Sequence, residues 1–283
     1  VKTLARRALR KLFVIFLPEG ARNSLRLVFL LDDRDRKPEK IDTFGERRVV
    51  VLAPHMDDEA AGCGGAIRRH ALAGARVTVV FMTDGRRGNP ELYQRGLAEA
   101  EVVQAENELV AVRKSEARLA AELLGVDDVV FLDAVDRELA PTTENVSTLV
   151  EVLRDRNPDL IYLPSMMDLH GDHWETNRVV YAALAQWPAG GGPGPRLRGY
   201  EVWTPVFANR VVDIDDVVDA KRAAIEVYKS QITHVDYVRT SLGLNAFRSI
   251  HFQYGHGHAE AFFECTPDEF KMLVERIASR RSV

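Results

Sequence analysis

Two short clusters in this 283-residue chain hold side chains suited to metal or acid–base chemistry. One is His55-Met56-Asp57-Asp58-Glu59 and the other is His170-Gly171-Asp172-His173. Each follows an apolar run, Val49-Val50-Val51-Leu52-Ala53-Pro54 before the first and Leu160-Ile161-Tyr162-Leu163-Pro164 before the second. Runs of this length and β-branched content read as buried strands. Acids crowded at a buried strand end must be hydrogen-bonded, protonated or neutralised by a cation. A divalent metal is the simplest neutraliser, and imidazole with carboxylate suits zinc. His55 and Asp58 with one histidine of the second cluster would give three protein ligands, the number that leaves a catalytic zinc an open position. The competing reading is plainer: acids at a helix start favour the helix dipole and cap free amides. Two clusters, each behind its own strand, favour the metal.

The elements that must position these clusters alternate. Strands are expected near 49–54, 76–82, 128–132 and 159–163, with helices over 59–73, 91–125 (broken into two), 145–156 and 174–187. That order implies an α/β fold with a mostly parallel sheet flanked by helices and right-handed crossovers. The metal site then falls at the C-terminal ends of the strands. Gly62-Cys63-Gly64-Gly65 invites a dinucleotide-binding reading. The acids precede it, where a phosphate would be repelled, and a short glycine cluster is a weak signal. Close packing of the helix is the better account. Further on, strands are expected at 200–207 and 210–214 and a helix at 216–229. His256 and His258 alternate, so on a strand they share a face, as a second metal site or as part of a pocket rim.

Composition sets the outer limits. The chain is 46% hydrophobic and 28% charged, ordinary for a globular protein with one large domain. A net charge of -4 gives no case for nucleic acid. Two cysteines are too few for a disulfide framework and lack metal-ligand spacing, which suits a cytoplasmic setting. Residues 1–46 read as a separate N-terminal segment and residues 47–283 as the main domain. Within the segment, Lys2, Arg6, Arg7, Arg10 and Lys11 fall on a different helical face from Leu9, Leu12, Phe13 and Phe16. Such a helix over 1–26 can lie peripherally on an anionic membrane or dock on the domain or on another subunit of an oligomer. Its run Leu12–Leu17 is too short to span a bilayer. Residues 32–40 read as a solvated, charged linker.

The two clusters also resemble a known family. Pro54-His55-Met56-Asp57-Asp58-Glu59 resembles the His-Pro-Asp-Asp-Glu signature of the LmbE-like, or PIG-L, zinc-dependent N-acetylglucosaminyl deacetylases. His170-Gly171-Asp172-His173 is similar to that family's His-Pro-Asp-His motif, with Met56 and Gly171 standing where the family has proline. The resemblance covers about 47–264. It implies a Rossmann-like fold and zinc, or another divalent metal, held by His55, Asp58 and His173. It implies Asp57 as the general base, His170 as the donor to the developing oxyanion, and Asp172 as the group that orients His170. Arg113, from an Arg-x-x-Glu helix, and Asp84, from a loop beside the pocket, are implied as substrate-binding residues. The implied reaction removes the N-acetyl group from a small-molecule or glycoconjugate N-acetylglucosamine substrate. Two other functions remain open: a metal-dependent amidase or esterase with a non-sugar substrate, and a non-catalytic, membrane-associated carbohydrate-binding protein.

Overall fold

The computed structural model describes residues 37–94, 96–186 and 194–281. The helix expected over 1–26 and most of the Gly/Pro loop at 188–195 lie outside these residues. The chain divides into two units, Pro38–Phe270 and a second made of Val1–Lys37 with Lys271–Val283. The first unit holds both clusters and the whole described sheet.

In chain order the elements are β1 (Glu39–Ile41), β2 (Arg48–Ala53), α1 (Asp58–Leu72), β3 (Arg76–Thr83), α2 (Glu99–Leu124), β4 (Asp128–Ala134), α3 (Thr143–Arg156), β5 (Leu160–Pro164) and α4 (Gly171–Gln186). They continue with β6 (Arg196–Tyr200), β7 (Arg210–Asp213), α5 (Val218–Val227), α6 (Lys229–Ile232), α7 (Tyr237–Arg248), α8 (Ile250–Gln253), β8 (Ala259–Cys265) and α9 (Pro267–Arg281). Among the described residues the sheet has eight strands in the order β1-β7-β8-β6-β5-β2-β3-β4. All neighbours pair parallel except β8, which is antiparallel to β6 and to β7. The fold is the α/β, mostly parallel arrangement that the alternation implied. Val49 to Ala53 of β2 are fully buried, as a central strand covered on both faces requires.

Some boundaries differ from the sequence reading. The linker ends earlier than expected, because Glu39–Ile41 pairs with β7 as an edge strand. The strand expected at 200–207 lies at 196–200, where it pairs residue by residue with β5. Pro205 has no N–H to give a ladder, and Glu201 turns inward to Arg248 instead. The region 91–125 is one 3-10 turn at Pro90–Tyr93 and a single long helix, α2.

Helix α1 is broken at Cys63 (φ -146°, ψ 22°), and the break explains the glycines. A Cβ on Gly62 would sit 2.3 Å from the Tyr200 ring, and one on Gly65 would sit 2.5 Å from Ile214. Backbone groups that lose their helical partners at a break need others. The Glu260 carboxylate accepts from Gly65 N–H at 2.8 Å and Ala66 N–H at 2.7 Å. The Lys221 ammonium donates to Ala61 C=O at 2.9 Å and pairs with Glu260 at 2.7 Å. Both side chains are completely buried. Removing one partner of a buried pair leaves an uncompensated charge, so Lys221→Met should lower the unfolding free energy by about 3–5 kcal/mol in urea denaturation. An unchanged midpoint would show that the pair does not brace the break.

Candidate metal and catalytic site

Strand β2 is the switch point of the sheet. The chain leaves it towards β3 and β4 on one side and returns to β5 and β6 on the other. Open α/β sheets have a crevice at such a point, beyond the carboxyl ends of the strands. His55 to Asp58 follow β2 and His170 to His173 follow β5, so the two clusters meet across that crevice. A cavity of about 270 Å³ opens there, lined in part by His55, Asp57, Asp58, Arg113, Asp136 and His170.

His55 Nδ1 and His173 Nε2 each lie 3.2 Å from Asp58 Oδ2. Ligands on arms of about 2.0–2.1 Å around a tetrahedral ion stand about 3.3 Å apart, so both distances match edges of such a tetrahedron. The far ring nitrogens also face carboxylates. His55 Nε2 is 3.0 Å from Asp172 and 3.4 Å from Asp136, and His173 Nδ1 is 3.5 Å from Asp168. A carboxylate behind a ligating imidazole fixes its tautomer and raises its basicity. His173 is fully buried, yet neither ring nitrogen has a hydrogen-bond partner among the described residues. A buried polar atom without a partner is costly, and a metal at Nε2 would supply one. The ring nitrogens of His55, His170 and His173 also come within 4.8 Å of one another. The group therefore fits a divalent metal.

Charge in the site is tightly balanced. Burial alone would raise the Asp58 carboxyl, but the His173 and His55 imidazoles outweigh it and hold it well below its ordinary range. Burial would likewise lower His55, and the carboxylates of Asp136, Asp172 and Asp58 push it well above instead. Asp57 is different. Burial raises its carboxyl to about 7, against the opposing pull of Arg113. Its backbone is at φ 148°, a conformation that residues with side chains rarely adopt and that clusters at functional sites. Glu59 supports this turn by accepting the Asp57 N–H at 3.2 Å and the Tyr228 hydroxyl, and burial raises its own carboxyl to about 8.

Arg113 is 2% exposed and reaches from α2 under the first cluster. It donates to Met56 C=O at 2.8 Å and Gly85 C=O at 3.0 Å, and lies 3.4 Å from Asp57. It makes no surface pair with Glu116, which accepts from Ser230. His170 Nδ1 accepts the Asp172 N–H at 3.2 Å, which places the proton of the neutral ring on Nε2. Burial, followed by the charges of His55 and His173, keeps the His170 pKa below normal.

Two expected contacts are not formed. The Asp172 carboxylate does not orient His170; it faces His55 and accepts the Arg137 N–H at 2.9 Å. Asp84 does not line the cavity, because Arg86 and the Asp136 N–H occupy its carboxylate. His256 and His258 also lie outside the cavity, and His258 bonds Asp215. The sequence reading passed over Asp136 and Asp168. Asp136 and Asp168 had a signal, since both are acids just past a strand of the same sheet edge. Packing brings Tyr228, at the end of α5, under Glu59.

Known proteins share the sequence pattern and the fold. The family described as PIG-L, GlcNAc-PI de-N-acetylase, matches residues 50–184. The 4-oxalmesaconate hydratase of Pseudomonas putida is 30% identical over 227 residues, covering 72% of this chain and 83% of that protein. The chain belongs to the PIG-L family. Another relative is the diacetylchitobiose deacetylase of Thermococcus kodakarensis, 29% identical over 197 residues, 65% of this chain and 70% of that protein. Among solved structures, the N,N'-diacetylchitobiose deacetylase of Pyrococcus horikoshii superposes with a TM-score of 0.66 at 26% identity, over 89% of this chain and 94% of that one. The PIG-L match contains both clusters, and no helix among the described residues is long and apolar enough to cross a membrane.

The metal reading has a direct check. Purified protein should bind a divalent ion that His173→Ala no longer holds, and Asp168→Asn should weaken affinity about 10- to 100-fold in chelator competition. Undiminished binding by His173→Ala would remove it from the ligand set.

Proposed function

We propose that this PIG-L chain is a zinc-dependent hydrolase that removes the N-acetyl group from an N-acetylglucosamine-containing substrate. The observation that carries the reading is the convergence of His55 Nδ1 and His173 Nε2 on Asp58 Oδ2 beside a buried, strained Asp57. His55, Asp58 and His173 are the ligands in this reading. A metal held by them would polarise the acyl oxygen and lower the pKa of water from 15.7 to about 7.

The chain's own groups do the rest. Asp57, with its carboxyl near 7, can take a proton from water and later give it to the departing amine. Arg113 pins the loop that aims Asp57. Neutral His170 carries its proton on Nε2, suited to donate to the developing oxyanion. Asp172 acts through His55, by holding the ring with its Nδ1 towards Asp58. Similarity to a diacetylchitobiose deacetylase supports an amino-sugar substrate.

A second reading has one specific observation behind it, the similarity to a hydratase over most of that protein's length. The same base and metal could direct water at a carbon–carbon double bond. Metal-loaded protein should release acetate from N-acetylglucosamine conjugates and leave 4-oxalmesaconate unchanged. Hydration of that compound without acetate release would favour the second reading. Asp57→Asn should retain metal and lose turnover. His170→Ala should lower kcat about 100- to 1,000-fold with metal retained, the usual cost of losing an oxyanion donor. Near-full activity of Asp57→Asn would refute the assigned base.

A further inference from the structure

Arg137 stands on the loop after β4, next to Asp136, and lines the active cavity. Its backbone is at φ 67°, a conformation that glycine adopts freely and arginine does not. The strained residue is held in place by the metal-site network. Its N–H donates at 2.9 Å to Asp172 Oδ2, the same oxygen that faces His55 Nε2. The chain thus keeps a long cationic side chain where the backbone favours none.

The neighbouring arginines are occupied. Arg86 pairs with Asp84, Arg87 pairs with Glu138, and Arg113 donates to two backbone carbonyls. The Arg137 guanidinium, by contrast, forms no hydrogen bond or ion pair among the described residues, and the residue is exposed. The cavity therefore has acids and histidines at the strand ends and, among its lining residues, an arginine whose cation is unpaired among the described residues. A guanidinium offers paired N–H donors whose fork matches a carboxylate or phosphate. A neutral sugar has no group that requires it.

We propose that Arg137 is a specificity-determining residue that receives an anionic group, a carboxylate or phosphate, carried by the amino-sugar substrate away from its acetamido end. The inference rests on the deacetylase reading and narrows it to acidic conjugates.

The test uses three N-acetylglucosaminides that differ only in the aglycone: neutral, carboxylate-bearing and phosphate-bearing. Full-length, metal-loaded wild type, Arg137→Gly and Arg137→Lys are compared. Arg137→Gly suits the positive φ and keeps the N–H to Asp172, so it removes the guanidinium without disturbing the loop. Acetate release gives kcat/KM, and calorimetry gives Kd at low and high salt. The wild type should prefer an anionic substrate, and the better of the two anions identifies the group. In Arg137→Gly the anionic-to-neutral ratio should fall about 10- to 100-fold in both measurements, as expected for a lost charge-assisted hydrogen bond. Arg137→Lys should restore part of it. Salt should weaken anionic binding in the wild type and much less in Arg137→Gly. Acetate release with a ratio indifferent to Arg137 would overturn this inference alone. No acetate from any of the three would overturn the deacetylase reading and this inference with it.

Discussion

Five buried carboxylates, those of Asp57, Asp58, Asp136, Asp168 and Asp172, crowd the strand ends at the switch point, and the site depends on how their charge is balanced. Buried as they are, each must be answered by a donor or a cation. Three imidazoles, one buried guanidinium and backbone amides such as those of Arg87, Arg137 and Trp203 are the cations and donors at hand. They are shared out unevenly. Asp58 is answered by two histidines and is held well below its ordinary range, whereas for Asp57 burial outweighs Arg113 and raises the carboxyl to about 7. Two adjacent carboxylates thereby acquire different chemistry from their surroundings alone. A dication at the point where His55 and His173 meet Asp58 would complete the balance.

The later part of the first unit serves that arrangement. Helix α1 begins with Asp58 and Glu59 and breaks only a turn later, at Cys63. The break is bridged by Glu260 from β8, the one antiparallel strand among the described residues, and by Lys221 from α5. Tyr228 at the end of α5 holds Glu59, and Ser230 ties α6 to α2, which carries Arg113. Residues 218–265 contribute neither of the two clusters. They brace the helices that carry Glu59 and Arg113, and Tyr237 adds to the cavity wall.

The fold by itself does not choose a reaction. A deacetylase and a hydratase are both similar to this chain, and a metal beside a carboxylate base can direct water at an amide or at a double bond. Discrimination belongs to the cavity wall. There Trp203 stands half exposed with its ring edge-on to Tyr237 at 6.0 Å, and Arg137 lines the same cavity. These residues come from loops after β4 and β6 and from α7, the positions where a scaffold of this kind can vary without moving the strands.

Much of the fold and site was legible in the sequence, because both rest on local pattern. Apolar β-branched runs mark buried strands, and alternation with helices implies a parallel sheet. His55, Asp57, Asp58, His170 and His173 stand out because polar residues directly after such runs must lie at the sheet edge. Residues 196–207 were misplaced by a few positions, since the partner strand β5 sets where β6 starts and local pattern does not. The direction of the Asp172 carboxylate, the burial of Asp84 behind Arg86, and the meeting of Glu260 with the broken α1 were decided only by tertiary structure. Each joins residues from different elements, and which oxygen meets which donor follows from packing in three dimensions. Spacing along the chain names the groups that can do chemistry, and the fold decides which of them touch.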